Sequence, residues 1–314
     1  MKTRKKSSGK QGNNILLVPL DSKIPNLALH KIALHHQLRG DKVYWGDRNV
    51  WEVVTWNKIY VSCLFSWNKE KCSAWKDVAE IGGSGYSLKK NLPEDIENLK
   101  PKINVGFTTR GCIRKCKFCI VPHKEGKLRI IGDLYDLWDG QAKQITLMDN
   151  NILAVPEHFI KICHQSIHKK IKLDFNQGLD ARLLTDKLAK VLCKTDLVGR
   201  PRFAWDNMCD EQAVLSTISL LKQYGCNSGM FYILVGFDTT LEEDFYRLEK
   251  LKKLKQRPYL MRHRKIKGIK IYNDLAAWVN QPRFFESMTF QQYQQAVAER
   301  GKKKKKIQKK ETLL

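Results

Sequence analysis

The amino-acid sequence predicts an α/β fold built in two successive parts. Short apolar runs alternate with helical stretches from residue 14 onward, as in proteins whose parallel strands are joined by helices. The 314 residues are enough for two domains with ordinary cores. The apolar run at residues 15–20 is too short for a signal peptide, and no run approaches the ~20 residues of a membrane-spanning helix. We therefore expect a cytoplasmic protein with no membrane partner.

The first part has the elements of a parallel α/β layer. An apolar run at residues 14–20 leads into a mostly apolar helix. Pro25 suits the first turn of this helix, and Gly40 suits its end. Three more strands are predicted at residues 42–45, 58–65 and 77–81. A strand–helix–strand order of this length is typical of a parallel sheet.

The second part has six βα units and a helical end. Strands are predicted at residues 102–109, 144–149, 172–176, 202–206, 230–235 and 259–261. Helices are predicted at residues 157–168, 185–193, 211–224, 241–251, 271–280 and 289–298. Thr240 and Glu243 have the spacing of a capping box, and Leu241, Phe245 and Leu248 begin an apolar helix face.

These elements divide the chain into five segments. A basic arm and a lysine-rich tail flank the folded parts, and neither has the apolar residues that a core needs. The predicted limits are 1–13 for a disordered arm, 14–100 for the first domain, 101–270 for the second, 271–300 for a helical extension and 301–314 for the tail.

Three cysteines stand in one short loop after the first strand of the second part. Cys112, Cys116 and Cys119 are separated by three and two residues. Three thiolates at this spacing suit a [4Fe–4S] cluster and leave one iron open for chemistry. A closed zinc site with His123 as fourth ligand is an alternative, although zinc ligands usually come as two separated pairs. An electron-transfer ferredoxin is another, and it carries a fourth cysteine nearby.

The loop resembles that of the radical S-adenosylmethionine (SAM) superfamily. The shared pattern is C-x3-C-x2-C with Phe118 before the last cysteine, and the flanking letters R-G and I-V-P are similar to the methylthiotransferase branch. The resemblance implies a partial (β/α)6 TIM-like barrel at residues 101–270, with a [4Fe–4S] cluster and SAM as cofactors. It further implies an electron donor such as flavodoxin or ferredoxin. In this family an electron cleaves SAM to methionine and a 5′-deoxyadenosyl radical, which abstracts a hydrogen atom from the substrate.

Polar residues follow the predicted strands, where reactive groups gather in α/β barrels. By the same resemblance, Asp149, Asn150 and Asn151 occupy the place that binds the SAM amino group, and their oxygens are suitable acceptors. Arg182, held by Asp180, suits a forked contact with the SAM carboxylate, and an ordinary ion pair at a helix start is the alternative. The remaining implied SAM contacts are Asp206 and Asn207 at the ribose, and Gly236 and the Phe118 backbone at the adenine.

Residues 14–100 resemble the cobalamin-binding-like, Rossmann-like domain that precedes many radical SAM cores. Families that bind cobalamin through histidine carry D-x-H-x-x-G after the first strand, but Lys23 stands at the histidine position here, so we expect no cobalamin. The methylthiotransferases hold a second cluster on three N-terminal cysteines. Only Cys63 and Cys72 occur in this part, so we expect no second cluster.

The chain is strongly basic, with 57 Lys and Arg against 32 Asp and Glu and a net charge of +25. Twelve of the basic residues lie in the terminal segments, and the rest of the chain is still basic, which favours a polyanion such as nucleic acid as partner. The nine cysteines do not indicate a disulfide framework, which suits a reducing compartment.

Three functions are consistent with these features. The first is a radical SAM enzyme that modifies a nucleic acid or a nucleotide-like substrate. The second is the same chemistry on a small molecule, peptide or protein. The third is a non-catalytic nucleic-acid-binding protein with a structural metal. The sequence after residue 265 lacks the alternating strands of the RNA-binding β-domain that ends the methylthiotransferases, so reaction and substrate are unassigned, and so is any catalytic residue beyond the cysteines.

Overall fold

The computed structural model describes residues 12–46 and 55–311, with side chains up to residue 300, so most of the predicted basic arm lies outside the described residues. The chain separates into two compact units, Met1–Asp149 and Asn150–Leu314. Parallel strands and helices occur in both units, which confirms the predicted α/β class. The Rossmann-like domain, the barrel and the five segment limits stay predictions.

A four-stranded parallel sheet forms the first part of the first unit. The strands are β1 (Asn14–Pro19), β2 (Lys42–Trp45), β3 (Lys58–Ser62) and β4 (Glu80–Gly82), in the order β2-β1-β3-β4. Helix α1 (Leu27–Leu38) joins β1 to β2. Strand β1 is buried on both faces, with Leu16 and Val18 in one apolar cluster and Ile15 and Leu17 in another. This explains why β1 is a continuous apolar run.

The start of α1 corrects one prediction. The sequence places Pro25 in the first turn, but the helix begins at Leu27 after the cap residue Asn26. The Asn26 side chain accepts a hydrogen bond from the Leu29 N–H at 3.2 Å, which satisfies a donor that the helix leaves open. Gly40 has φ +84° just beyond the helix, as its predicted position at the end requires.

Short elements complete the first unit. Strand β5 (Val105–Gly106) pairs in parallel with β8 (Gln144–Leu147), and β6 (Thr109–Arg110) pairs antiparallel with β7 (Arg129–Ile130). The predicted single strand at 102–109 is therefore two strands with a turn between them. The short helices are α2 (Glu94–Glu97), α3 (Val121–Lys124) and α4 (Leu134–Leu137), with a 3-10 helix at Ser66–Trp75.

The second unit contains the remaining strands and the long helices. Strand β9 (Lys172–Phe175) is followed by the parallel strands β10 (Arg202–Ala204), β11 (Met230–Val235) and β12 (Arg257–Arg262). The helices are α5 (Pro156–Lys169), α6 (Asp186–Lys194), α7 (Glu211–Gln223), α8 (Leu241–Lys253), α9 (Lys270–Val279), α10 (Pro282–Ser287) and α11 (Phe290–Glu311). The predicted elements here are confirmed, except that α11 continues beyond residue 298. No helix within residues 12–46 and 55–311 is long and apolar enough to cross a membrane.

The two faces of β11 differ in burial. Phe231, Ile233 and Val235 are fully buried, whereas the alternate residues Met230, Tyr232 and Leu234 are only half-buried. Register pairs Tyr232 with the exposed Tyr259 of β12. Since a parallel sheet covered on both faces is apolar throughout, this alternation indicates one covered and one more open face. The side that carries Tyr232, Leu234, Tyr259 and Met261 is called the open face below.

Candidate functional site

The cysteine loop lies between β6 and α3 in the first unit. Cys112, Cys116 and Cys119 are partly buried, whereas Lys115 and Lys117 between them are exposed. The local burial pattern therefore separates the thiols from the lysines. This is the arrangement that a sheltered ligand set with a basic rim requires.

Backbone N–H groups lie close to two of the sulfurs. The Arg114 nitrogen is 3.3 Å from Cys112 Sγ, and the Val121 nitrogen is 3.5 Å from Cys119 Sγ. Cysteine sulfurs are the ligands that iron–sulfur clusters use, and backbone N–H groups beside them are compatible with that role. The donor chemistry of the loop therefore fits three cluster ligands.

No group of three or more His, Cys, Asp or Glu side chains in the described ranges has the arrangement of a ready-made metal site. The ligand set Cys112, Cys116 and Cys119 thus stays a prediction based on sequence and donor chemistry. His123, the fourth ligand of the zinc alternative, is exposed on α3.

Gly111 shapes the entry to the loop. Its φ is +84°, a region that side chains disfavour, and an added Cβ would lie 2.3 Å from the Lys127 carbonyl oxygen. Only glycine lets the start of the loop approach the segment that follows it this closely.

Arg110, one residue earlier, is held by two carboxylates. Its Nη1 lies 2.6 Å from Glu97 Oε1, and its Nε lies 3.3 Å from Glu125 Oε2. Lys31 also pairs with Glu97, at 3.0 Å. Because Arg110 precedes the loop and Glu125 follows α3, this contact ties the two ends of the loop together. In the sequence, Arg110 is notable only as part of the R-G pair before the cysteines, and no local pattern points to either carboxylate.

Asp149 is buried and faces the turn between β5 and β6. Its Oδ1 accepts hydrogen bonds from Thr108 Oγ1 at 2.8 Å and Thr109 Oγ1 at 2.6 Å, and the backbone N–H groups of both threonines also donate to the carboxylate. Burial raises the pKa of Asp149, and these hydrogen bonds partly oppose that shift. Much of its acceptor capacity is used inside the first unit, where it secures the turn that leads to the cysteine loop. The implied contact with the SAM amino group stays a prediction.

Three of the predicted residues meet in the second unit. Asn151 Nδ2 donates to Asp180 Oδ2 at 3.2 Å, and Arg182 Nε donates to Asp180 Oδ1 at 2.7 Å. Asp180 also caps the 3-10 helix Ala181–Leu183 by accepting the Arg182 N–H. Arg182 Nη1 lies 3.4 Å from Asp210 Oδ1. These contacts agree with the prediction that Asp180 orients Arg182 for the SAM carboxylate. They agree equally with an ordinary ion pair at the start of a helix.

Asp206 follows β10 and is bonded to the neighbouring strand. Its Oδ1 accepts the Leu234 N–H at 3.2 Å. Burial raises its pKa to about 6, although the Leu234 N–H and the charge of Arg247 act in the opposite direction. The carboxylate is therefore partly protonated just below neutral pH.

The other predicted contacts have less distinctive surroundings. Asn150, Asn207 and Phe118 are partly buried. Gly236 has φ +74°, and an added Cβ would lie 2.5 Å from the Ile266 side chain. Within the second unit, this glycine is therefore required by the packing of Ile266. Its contact with adenine stays a prediction.

Arg247 and Asp244 form a fully buried ion pair that the sequence analysis missed, with 2.5 Å between Nη2 and Oδ1. Arg247 also donates to the carbonyl oxygens of Trp205 at 2.5 Å and Leu234 at 2.9 Å. It therefore fixes the chain at the ends of β10 and β11, beside Asp206. The available signal was helical spacing, since both residues share a face with Leu248.

No protein-family model matches the chain. Curated relatives do. The tRNA-2-methylthio-N(6)-dimethylallyladenosine synthase of Aquifex aeolicus is 24% identical over 245 residues, which cover 67% of this chain and 56% of that protein. The synthase of the same name from Sulfurihydrogenibium is 28% identical over 199 residues, covering 54% and 45%. That of Staphylococcus saprophyticus is 34% identical over 84 residues, covering 24% and 16%.

The chain is a relative of the radical SAM methylthiotransferases. It spans about half the length of the first two relatives. The resemblance inferred from the cysteine loop is thereby confirmed. The methylthiotransferase relatives use [4Fe–4S] clusters and SAM, the two cofactors that the loop implies.

Proposed function

We propose that this chain is a radical SAM enzyme that modifies RNA, with tRNA as the substrate class. The observation that carries the proposal is the partly buried cysteine triplet, with backbone N–H groups beside two of its sulfurs. It occurs in a chain related to methylthiotransferases, whose name identifies tRNA as their substrate. When bound, a [4Fe–4S] cluster supplies the single electron that cleaves SAM and yields a 5′-deoxyadenosyl radical.

In the first unit, Cys112, Cys116 and Cys119 hold the cluster. The N–H groups of Arg114 and Val121 stabilise negative charge on the sulfurs, as charge-assisted hydrogen bonds do. Asp149 holds Thr109 at the start of β6, and Arg110 holds Glu125 beyond the cysteines. Because the backbone before and after the loop is fixed, the three cysteines need little rearrangement to bind one cluster.

In the second unit, Arg182 binds the SAM carboxylate. About a third of its side chain is exposed, so the guanidinium is accessible, and Asp180 fixes the orientation of Nε. Asn151 is bonded to the same Asp180 and is proposed for the SAM amino group. Asp206, Asn207 and Gly236 are proposed for the adenosine part, and the open face fits the interior of a partial barrel.

The basic charge of the chain supports RNA as substrate, because phosphate contacts dominate affinity for nucleic acids. The proposal includes a flavodoxin or ferredoxin as electron donor. The same chemistry on a small molecule or protein is the second candidate, and it applies if no nucleic acid is modified.

The test is anaerobic reconstitution of the full chain with iron and sulfide, followed by SAM and a reductant. We expect one [4Fe–4S] cluster per chain and formation of 5′-deoxyadenosine. Alanine at Cys112, Cys116 or Cys119 abolishes both. Cys209→Ala is the matched control, since Cys209 is an exposed cysteine outside the loop. A colourless chain with stoichiometric zinc and no product would overturn the proposal in favour of a non-catalytic protein with a structural metal.

The substrate is tested separately. Modified nucleosides in total RNA are compared, by mass spectrometry, between cells with and without the gene. Loss of one tRNA nucleoside is the expected result. An unchanged set of nucleosides with an altered metabolite or protein would favour the second candidate.

A further inference from the structure

Phe65 and Trp67 form an exposed aromatic stack after β3. Their ring centroids are 4.7 Å apart with an angle of 15° between the planes. Phe65 is 41% exposed and Trp67 is 64% exposed. Tryptophan is mostly buried in folded proteins, and Cys72 and Trp75 of the same 3-10 helix do lie in the core. The core therefore does not account for the position of Trp67.

The backbone beneath this stack is fixed. Asp21, which follows β1, accepts the N–H of Leu64 at 2.8 Å and that of Phe65 at 2.9 Å. The loop after β4 packs against the same place, because a Cβ added to Gly85 would lie 2.5 Å from the Phe65 nitrogen. The stack thus stands at the C-terminal edge of a parallel sheet, where open α/β sheets bind ligands. A fixed platform lowers the ordering cost of binding.

Two lysines follow Trp67 in the same 3-10 helix, on either side of Glu70. Lys69 and Lys71 are exposed on the same 3-10 helix, and Lys69 Nζ lies 5.6 Å from the ring centroid of Tyr86. Aromatic rings interleaved with lysines are how proteins bind single-stranded nucleic acid, since bases stack on the rings and phosphates meet the lysines. The same charges, on a chain of net charge +25, disfavour a second copy as the occupant.

We propose that the Phe65–Trp67 stack binds an unpaired base of the RNA substrate, with Lys69 and Lys71 near its phosphates. The inference rests on the proposed function and names the part of the RNA that the first unit contacts. An RNA stem-loop offers such a base. A fully paired duplex does not, because its bases are stacked inside the helix.

The test measures binding of the full-length chain to a labelled RNA stem-loop and to an RNA duplex, by fluorescence anisotropy at one salt concentration. Trp67→Ala should weaken stem-loop binding about tenfold or more, as loss of one stacked base implies, and leave duplex binding nearly unchanged. Trp67→Leu keeps an apolar side chain without the ring and should lose as much. Trp67→Phe should retain most of the affinity.

Tyr246→Ala is the matched control. Tyr246 is 43% exposed in the second unit, with Lys250 Nζ 5.6 Å from its ring centroid, so it is a similar aromatic–lysine pair at another place. We expect it to bind the stem-loop as the unmodified chain does. Equal losses in both variants, or none in Trp67→Ala, would overturn the inference.

Two further measurements separate the remaining outcomes. The first is the oligomeric state in analytical sedimentation. If the unmodified chain is a dimer, and Trp67→Ala is a monomer with unchanged RNA affinity, the stack is a contact between copies and the inference is overturned. RNA binding is measured without SAM or reductant, so absence of 5′-deoxyadenosine in the reconstituted chain counts against the proposed function alone.

Discussion

Arg110 and Glu125 form an ion pair across the cysteine loop, with 3.3 Å between Nε and Oε2. Both side chains are largely buried, at 20% and 13% exposure, so solvent screens the pair less than a surface contact. Arg110 stands two residues before the first cysteine, and Glu125 stands six residues after the last. The loop is therefore closed by a contact that lies outside the three cysteines.

Arg110→Met should lower the free energy of unfolding by about 1–3 kcal/mol, because it leaves partly buried carboxylates without their partner. It should also reduce the iron retained after anaerobic reconstitution. Arg110→Lys should recover only part of each loss, because one ammonium does not reproduce the forked guanidinium. Urea denaturation and iron analysis measure the two effects. Lys115→Met, an exposed change in the same loop, is the control, and iron retention equal to that control contradicts the prediction.

Thr109→Val should destabilise the chain by about 1–3 kcal/mol. The substitution keeps the branched shape but removes a hydroxyl that donates to the buried Asp149, and a buried carboxylate with fewer donors is costly. The pKa of Asp149 should rise further for the same reason. Urea denaturation is the measurement, with Thr146→Val on β8 as the control. Equal effects of the two substitutions would mean that the Asp149 contact contributes little.

Arg247→Met should be among the most damaging changes in the second unit, at about 3–5 kcal/mol, because it leaves the Asp244 carboxylate buried without its charge partner. Asp244→Leu should be similarly costly. The double variant should lose clearly less than the two single losses added together. A double-mutant cycle in urea measures this coupling. Simple additivity would show that the two charges act independently.

Asp206→Asn should change how stability depends on pH. The folded pKa of about 6 lies above the ordinary value of 3.8, so this carboxyl stabilises the fold when protonated. That contribution is complete below about pH 4 and is lost as pH rises through 6. Asparagine has no such titration. The stability of Asp206→Asn relative to the unmodified chain should therefore increase by about 1 kcal/mol between pH 5 and pH 7. A difference that is constant across this range refutes the assignment.

Elements with strong local signals were predictable from the sequence. Strand β11 has the predicted bounds, and α8 begins with the predicted capping box of Thr240 and Glu243. Both depend on residues within a few positions of each other, so sequence pattern is sufficient.

Features that depend on distant residues were not predictable. The predicted strand at 102–109 is interrupted because Asp149, about forty residues away, binds the N–H groups of Thr108 and Thr109. On α8, the predicted apolar face includes Phe245, but the fully buried positions include Asp244 and Arg247 instead. Arg247 donates to the carbonyl groups of Trp205 and Leu234, at the ends of two other strands, and an apolar pattern carries no information about such contacts.

The same division holds for the candidate site. The cysteine spacing is local, and it led to the superfamily that the relatives support. The supports around it are not local, since Arg110 is paired with Glu97, thirteen residues before it, and with Glu125, fifteen residues after it. The spacing of the three cysteines can thus be read from the sequence, whereas the ion pairs around them are visible only in the folded chain.

Neighbouring residues of β11 lie on opposite faces of the sheet. The side chains of Phe231, Ile233 and Val235 are buried in the core. Those of Met230, Tyr232 and Leu234 lie on the opposite, more open face. A single-residue insertion would exchange the two sets, so that buried side chains become exposed and half-buried ones are forced into the core. A point substitution at Met230 or Leu234 alters one side chain on the more open face and leaves the register, and with it the packed face, unchanged.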